Sequence, residues 1–423
     1  MIPQSIPRKR LFWAAALGHL TNDTFTSMGP VLLAFLSVSI LPLTNTQVGF
    51  MVSASQMMGA LTQPGFGLLA DRSGGRWLGA GGVTWTVAFF MAALVCAQTG
   101  YFWLLFFPFV FYTAGSAAFH PVGSMHAANS DRHHHASVMT YFFLMGQLGS
   151  ALGPLLAGLL LDLANPNTQH YYMLPFHEIY DYSVIWWAKV TPIFWLLLPA
   201  IPVIGFMLLA FPNTARYRAE YPRARAASAG TSGNGVSRPV KAFLVLAVMV
   251  ALRSLAQPGL VAFFPVLFRN KGWSPGEYGA ITGMYWISAG IVGLTFGNIA
   301  DRVDRRWVIA IGMFLAAPAL FLLPVADGRA AFLLAMAAGG LTGGSHSLIV
   351  VEAQDLMPQS RGFASGSILG YIFAMGALGS LFIGVMSDGI GLNATFQIVA
   401  GVIVVAGMLA LMLPAHKPAT AVA

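Results

Sequence analysis

The chain has 423 residues, of which 57% are hydrophobic and only 9% are charged. Its mean hydropathy is +0.71, whereas soluble domains carry about 25% charged residues, so the composition excludes an ordinary water-soluble protein. The formal charge of +8 at pH 7 does not require a nucleic-acid partner, because the cytoplasmic loops of membrane proteins are rich in Lys and Arg.

Long apolar segments separated by short polar breaks predict twelve membrane-spanning helices. A helix needs roughly 20 apolar residues to cross the hydrocarbon core of a bilayer, and nearly the whole sequence divides into segments of this length. The first segment extends past Asp23 without a small-residue cleavage site, which predicts a retained helix rather than a cleaved signal peptide. In chain order the predicted spans are 11–37, 46–70, 78–98, 101–126, 137–163, 188–211, 241–268, 274–300, 307–325, 329–355, 362–387 and 391–413.

The distribution of basic residues predicts how these helices are oriented. An even number of spans places both termini on one side of the membrane, and most of the 22 Lys and Arg residues fall in loops on that side. Because basic loops remain in the cytoplasm, we expect a multi-pass protein of the inner membrane with both termini cytoplasmic. We expect it to be a monomer surrounded by the lipid bilayer.

An internal repeat divides the sequence into two halves of equal topology. At a constant offset of 230 residues (301 − 71 = 230), acidic, basic and aromatic residues recur without a gap. The repeat predicts an N-terminal six-helix bundle, 1–211, and a C-terminal six-helix bundle, 241–423. Between them, segment 212–240 is rich in Ala, Gly, Ser, Pro and Arg, which is typical of a flexible cytoplasmic linker. Matching pairs include Asp71 and Asp301, Arg72 and Arg302, Arg76 and Arg306, Trp77 and Trp307, and Tyr141 and Tyr371.

Two loops at equivalent positions carry a family motif. The segments GLLADRSGGRW (67–77) and GNIADRVDRRW (297–307) resemble the G-x-x-x-D-R-x-G-R-[RK] loop of the major facilitator superfamily, with Asp304 at the glycine position of the second copy. The resemblance implies an all-α membrane protein, with twelve helices in two pseudo-symmetric bundles and a mid-membrane site between the halves. It also implies contacts that hold one conformation of the gate. Glu352 and Asp355 either form salt bridges with the loop arginines or transfer protons. The gating candidates are Asp71, Arg72, Arg76, Asp301, Arg302, Arg306, Glu352 and Asp355.

Four further segments favour export as the direction of transport. GHLTNDTFTS (18–27), SAAFHPVGS (116–124) and EAQDLMP (352–358) resemble fosmidomycin-resistance-type efflux proteins, although Val122 stands where that pattern has an acidic residue. GQLGSALGPLLAG (146–158) is similar to the glycine-rich segment of major facilitator antiporters, and glycine-mediated helix packing is the alternative explanation. The resemblance implies efflux of small organic molecules and drug resistance.

Ionisable residues inside predicted spans are candidates for proton coupling, because charge in the membrane interior is costly and usually functional. Asp23 and Arg253 occupy equivalent positions of the two repeats (253 − 23 = 230). If they lie close together, Arg253 keeps Asp23 ionised, and separation or substrate binding allows Asp23 to take up a proton. A permanent ion pair between the halves is the structural alternative. His120 is the third candidate, since histidine titrates between pH 5 and 8.

Polar and aromatic residues of the same spans are candidates for substrate binding. Basic and histidine side chains suit an anion, and aromatic rings suit an amphipathic body, whereas ordinary core packing is the alternative for each of them. The substrate-binding candidates are His19, Asn22, Asp23, His120, Tyr141, Gln147, Arg253, Trp286, His346 and Tyr371.

These features predict a secondary transporter, specifically a proton-coupled antiporter that exports small organic molecules by alternating access. Its partners are a small-molecule substrate and protons. The sequence contains no nucleotide-binding P-loop and no catalytic or zinc motif, so we expect neither an enzyme nor a bound cofactor or metal. Three alternatives remain: a proton symporter or facilitator that imports a small anionic metabolite, a transition-metal or metal-chelate exporter that uses the histidine-rich loops near 126–135 and 170–181, and a receptor or scaffold without transport.

Overall fold

A computed structural model shows a chain of helices joined mostly by short loops, and it describes residues 8–73, 75–130, 135–164, 189–213, 240–357 and 361–415. No strand occurs within these ranges, which confirms the predicted all-α fold. Most of the predicted linker 212–240, the histidine-rich cluster 170–181 and residues 131–134 of the other histidine-rich loop lie outside the described residues.

Fifteen α-helices account for most of the described chain, and we number them in chain order. Two short 3₁₀ turns span Thr191–Leu196 and Leu323–Val325, and a π-helical turn spans Leu255–Gly259. The helices are α1 Arg8–Ser27, α2 Gly29–Ser39, α3 Asn45–Ser73, α4 Arg76–Ala97, α5 Phe102–Ser130, α6 His135–Ala164, α7 Leu197–Ala210, α8 Val240–Ser254, α9 Phe264–Arg269, α10 Pro275–Ala300, α11 Arg305–Leu322, α12 Gly328–Gly343, α13 His346–Leu356, α14 Arg361–Ile390 and α15 Leu392–Leu411.

Ten helical segments of the described chain are long and apolar enough to cross a membrane. They coincide with the third to twelfth predicted spans. The first two predicted spans correspond to α1 with α2, and to α3. These helices are less apolar because they contain polar residues such as His19, Asn22 and Asp23. The prediction of a multi-pass membrane protein is confirmed.

The seventh predicted span, 241–268, is not one regular helix. Helix α8 ends at Ser254, the π-helical turn Leu255–Gly259 follows, and the short helix α9 begins at Phe264. Pro258 lies in the turn and lacks the backbone N–H that a regular helix needs. Turns of this type are frequent at functional sites, and this one begins two residues after Arg253.

The described chain forms two compact units that do not follow chain order strictly. The first unit takes its residues from Met1–Leu43, Met58–Ala229 and Phe268–Ala280, and the second from Thr44–Met57, Gly230–Leu267 and Ile281–Ala423. The predicted bundles 1–211 and 241–423 follow the sequence repeat instead, and they stay a prediction.

In the first unit, glycines of α6 allow α1 to approach closely. An added Cβ at Gly146 would lie 2.4 Å from the ring of His19, and one at Gly149 would lie 2.5 Å from the carbonyl oxygen of Leu20. Farther along the helix, a Cβ at Gly153 would lie 2.0 Å from the hydroxyl of Ser27. Small residues let membrane helices pack backbone to backbone. This packing surface of α6 therefore covers the side of α1 that carries His19.

Each unit also contains an acidic side chain that caps the N-terminus of another helix. In the first unit, Asp162 Oδ2 accepts hydrogen bonds from the Ser274 hydroxyl (2.8 Å) and the Gly276 N–H (2.9 Å) at the start of α10. In the second unit, the carboxylate of Asp388 accepts from the N–H groups of Asn45 (3.0 Å) and Thr46 (2.8 Å) at the start of α3. Such caps satisfy backbone donors that have no partner within the helix.

Candidate functional site: a His–Asp–His cluster and a buried arginine

The carboxylate of Asp23 lies between two histidine rings in the first unit. His19 is one helical turn earlier on α1, and its Nε2 is 3.3 Å from Asp23 Oδ2. His120 comes from α5, and its Nε2 is 3.3 Å from Asp23 Oδ1. Each carboxylate oxygen therefore faces one imidazole nitrogen. We call these three residues the His–Asp–His cluster.

The second nitrogen of each ring determines which atoms must carry protons. His19 Nδ1 is 2.8 Å from the carbonyl oxygen of Phe142, and His120 Nδ1 is 2.9 Å from the carbonyl oxygen of Ser116. A carbonyl oxygen only accepts hydrogen bonds, so His19 Nδ1 is the donor to Phe142. His120 Nδ1 lies 3.2 Å from the Ser116 hydroxyl as well as near the Ser116 carbonyl oxygen, and it donates to the latter when it carries the proton. Each Nε2 then faces a carboxylate oxygen, and the contact is favourable only if a proton lies between the two atoms.

A buried amide fixes the orientation of the Asp23 carboxylate. Asn22 Nδ2 donates to Asp23 Oδ1 and to the Ser116 hydroxyl, both at 2.9 Å. The Asn22 carbonyl oxygen accepts from the Thr86 hydroxyl at 3.2 Å. Asn22 is fully buried, and its partners come from α4 and α5. This network connects three helices and holds the carboxylate in one position between the rings.

The three members of the cluster differ in their access to solvent. The side chain of His19 is 4% exposed, that of Asp23 is 16% exposed and that of His120 is 30% exposed. The ring of Phe142 stacks on His19 with a centroid distance of 4.1 Å and helps to cover it. His120 is therefore the member of the cluster with the greatest access to solvent.

The cluster contains atoms of the kind that metals bind, but hydrogen bonds already explain its geometry. One ligand atom from each of the three residues lies within 4.8 Å of the others. A closed structural zinc site has four protein ligands. The distance of 3.3 Å between each imidazole nitrogen and a carboxylate oxygen is also that of a ring–carboxylate contact without a metal.

In the second unit, Arg253 is fully buried on α8. Its Nε donates to the Ser345 hydroxyl (2.9 Å), and its Nη2 donates to the Thr342 carbonyl oxygen (2.8 Å). Among the described residues, Nη1 has no hydrogen-bond partner and the guanidinium has no acidic partner. Asp23 and Arg253 belong to different units, so their predicted pairing stays a prediction.

Within the described part of the first unit, the substrate-binding candidates Tyr141 and Gln147 make no hydrogen bond or ring contact with the cluster. Tyr141 is 60% exposed, and Gln147 is half-buried with a side-chain oxygen that has no partner among the described residues. In the second unit, the Tyr371 hydroxyl donates to the Ala247 carbonyl oxygen at 3.1 Å. Trp286 and His346 are half-buried, and His346 directly follows the Arg253 partner Ser345.

Two gating candidates of the second unit, Asp355 and Arg306, each form an ion pair. Asp355 pairs with Arg305, which the sequence analysis did not include among the gating residues. Asp304 caps α11 by accepting from the Arg306 N–H at 3.2 Å, and it also lies 3.0 Å from Arg306 Nε. The acidic residue at the glycine position of the motif thus has a structural role. Asp301 and Arg302 are exposed, and Glu352 is buried.

The loop of the first unit has different contacts. Arg76 Nε donates to the Phe211 carbonyl oxygen at 2.8 Å. Gly75, which precedes α4, has φ +83° and packs against Val122, where an added Cβ would lie 2.5 Å from Cγ1. The side chains of Asp71 and Arg72 lie outside the described part of the structure.

Sequence reasoning missed several partners of the candidate side chains. Ser116 is one helical turn before His120, a spacing that points to contact within a helix. Thr86 and Ser345 had no such signal, because each contacts a residue on a distant helix. The carbonyl groups of Phe142 and Thr342 carry no sequence signal, since every residue has a carbonyl.

Comparisons with known proteins agree with this architecture. The sequence profile of the Major Facilitator Superfamily matches residues 11–269 and 242–422. The fosmidomycin resistance protein of Escherichia coli is 25% identical over 409 residues, with 96% of this chain and 92% of the relative covered. An uncharacterised MFS-type transporter of Bacillus subtilis is 24% identical over 401 residues, covering 94% and 91%.

Solved structures of transporters have the same fold. A bacterial homologue of the human lysosomal transporter Spinster, in an inward-facing and occupied conformation, gives a TM-score of 0.72 at 17% identity, with 97% of both chains covered. The inward-open xylose transporter XylE of E. coli gives a TM-score of 0.70 at 14% identity, covering 97% of this chain and 98% of that one. The chain therefore belongs to the Major Facilitator Superfamily of membrane transporters.

Proposed function

We propose that the protein is a proton-coupled antiporter that exports small organic molecules by alternating access. In this proposal it is a monomer in the inner membrane, with both termini in the cytoplasm. The observation that carries the proposal is the position of the Asp23 carboxylate between His19 and His120. A membrane helix rarely contains an ionisable group without a functional reason, and this one contacts two further groups that exchange protons.

The hydrogen bonds of the cluster link its protonation to its geometry. Removal of one proton leaves one Nε2 lone pair opposite a carboxylate oxygen, and that contact becomes repulsive. His19 is buried and held by the Phe142 carbonyl, whereas His120 is partly exposed. Deprotonation is therefore expected to move His120 away from Asp23 and to loosen the contact between α5 and α1. Proton uptake restores the contact.

The direction of transport is inferred from the names of relatives. The relative from E. coli is named as a fosmidomycin resistance protein. A relative from Yersinia enterocolitica, 25% identical over 279 residues and 64% of this chain, is named as a putative multidrug resistance protein. These names support export of a drug-like molecule. A proton symporter would use the same cluster, so the direction has to be measured.

The test of this proposal is solute-driven proton movement in proteoliposomes. A pH-sensitive dye inside the vesicles reports protons while fosmidomycin and a panel of small organic acids and amphipathic cations are added one at a time. We expect one solute class to drive proton movement in the wild type, and we expect Asp23→Asn to abolish it. Asp388→Asn is the matched control, because it neutralises a carboxylate of the second unit that is remote in sequence from the cluster.

The outcomes separate the competing functions. Proton movement opposite to solute movement supports an antiporter, whereas movement in the same direction would replace it with a symporter. Solute transport without proton movement would indicate a facilitator. Coupled transport that is unchanged in Asp23→Asn would reject the His–Asp–His cluster as the coupling site.

A further inference from the structure

We propose that the transported molecule carries an acidic oxyanion group, a carboxylate or a phosphonate, which binds the guanidinium of Arg253. This inference rests on the proposed transport function and specifies the substrate class. The observation behind it is a fully buried arginine in the second unit that has an unused hydrogen-bond donor and no acidic partner among the described residues.

The hydrogen-bond partners of Arg253 do not compensate its positive charge. The Ser345 hydroxyl and the Thr342 carbonyl are neutral groups. The hydroxyl of Tyr285 lies nearby and is hydrogen-bonded at 2.9 Å to the Thr342 hydroxyl, which is also neutral. A buried charge is normally paired with an opposite charge, because removal from water is expensive. An anion brought by the substrate supplies the missing charge.

The free donors at this position suit an oxyanion. Arg253 Nη1 carries two N–H groups without an acceptor, and the hydroxyl of the next residue, Ser254, also has no hydrogen-bond partner in the described chain. The planar guanidinium matches the geometry of carboxylate and phosphonate oxygens better than an ammonium group does. His346 lies within electrostatic range of Arg253 and offers a further ring N–H. The site therefore favours an acid over a neutral molecule or a cation.

Because Arg253 is fully buried, the anion reaches it only if the surrounding helices rearrange. The π-helical turn Leu255–Gly259 begins two residues later. Pro258 of this turn packs on α14, where an added Cβ at Gly376 would lie 2.5 Å from the proline ring. A Cβ at Gly379 would lie 3.0 Å from Leu255. At an irregular turn that packs on glycines, the chain bends without the loss of regular helical hydrogen bonds.

The test is ligand-induced stabilisation of the purified full-length protein in detergent. Benzoate and phenylphosphonate are the acidic probes, and benzamide is the neutral probe of similar shape. We expect both acids, but not benzamide, to raise the melting temperature in a saturable way. Arg253→Gln is expected to abolish this shift, and Arg253→Lys is expected to weaken apparent affinity by about 10-fold, because it keeps the charge and loses the planar fork.

Arg269→Gln is the matched control. Arg269 is a partly buried arginine of the first unit that also donates to neutral oxygens, those of Ala34 and Ser37, so its replacement should leave the shift intact. If Arg253→Gln fails to fold, the comparison of Arg253→Lys with the wild type decides the question.

Several results would overturn the inference. An equal shift with benzamide, an unchanged affinity in Arg253→Lys or Arg253→Gln, or no shift with either acid would each contradict an oxyanion site at Arg253. The proposed proton coupling fails separately, since Asp23→Asn should lose proton movement but keep the shift produced by the acids.

Discussion

Arg305 and Asp355 form an ion pair in the second unit, and the first unit has apolar packing at the matching level of the repeat. The offset of 230 maps Arg305 onto Gly75 (305 − 230 = 75) and Asp355 onto Met125 (355 − 230 = 125), so neither position of the pair is charged in the first unit. Gly75 and Val122 are in direct contact. The two halves thus keep the same loop motif, but one stabilises it with charge and the other with close apolar packing.

The ion pair is expected to contribute measurably to stability. The side chain of Arg305 is 12% exposed and that of Asp355 is 31% exposed, so water screens the pair less than it screens a surface pair. We expect a double-mutant cycle with Arg305→Ala and Asp355→Ala to give a coupling energy of about 1 kcal/mol, near the upper end for exposed pairs. Thermal unfolding of the purified protein measures it. Arg302→Ala, at an exposed neighbour, is the control, and a coupling near zero would contradict the prediction.

Replacement of Gly75 by alanine should be more damaging than the same change at Gly272. Both glycines have a positive φ, 83° and 84°, and a non-glycine residue in that region costs about 1–2 kcal/mol. Only Gly75 also faces a close neighbour, whereas an added Cβ at Gly272 meets nothing within 4 Å. Overpacking adds about 1–3 kcal/mol.

Melting temperatures of the two variants provide the measurement. Gly75→Ala should melt well below Gly272→Ala, and Val122→Ala in the Gly75→Ala background should recover part of the difference. Equal melting temperatures would show that contact with Val122 imposes no steric constraint on residue 75.

The sequence predicted the helices well because membrane thickness fixes the length of an apolar segment. It also placed His19 and Asp23 together, since a spacing of four residues puts them on one helix face. It did not predict that His120 contacts Asp23, because that contact depends on how α5 packs against α1. The sequence pattern indicated Arg306 rather than Arg305 as a gating residue. Which of these two adjacent arginines faces Asp355 depends on the residue at which α11 begins.

The glycine surface of α6 should be necessary for the cluster as well as for packing. An added methyl at Gly146 would lie 2.4 Å from the His19 ring, so Gly146→Ala must displace the ring or separate α6 from α1. We expect Gly146→Ala to reduce solute-driven proton movement at least 10-fold while the protein still inserts into the membrane. Gly205→Ala is the control, since that glycine of α7 has no neighbour within 4 Å. Normal coupling in Gly146→Ala would contradict a fixed position of His19.

Replacement of His19 should affect stability, whereas replacement of His120 should affect the pH dependence of transport. His19 is buried, and His19→Gln leaves the carbonyl of Phe142 and one oxygen of Asp23 without their ring partners, which is expected to cost about 1–3 kcal/mol of stability. His120 is partly exposed, so His120→Gln should change stability little. It should instead flatten the dependence of transport on pH between about pH 5 and 8, because glutamine takes up no proton in the range where histidine titrates.

Transport rates of the three proteins across that pH range, together with their melting temperatures, test this division of roles. The groups that face His120 are Asp23, Ser116 and the ring of His19, and all of them remain in His120→Gln. A wild-type pH profile in His120→Gln would remove His120 from the proton path and leave His19 with Asp23. A flattened profile at normal stability would assign proton exchange to the more exposed ring, as its 30% exposure and its direct contact with the carboxylate indicate.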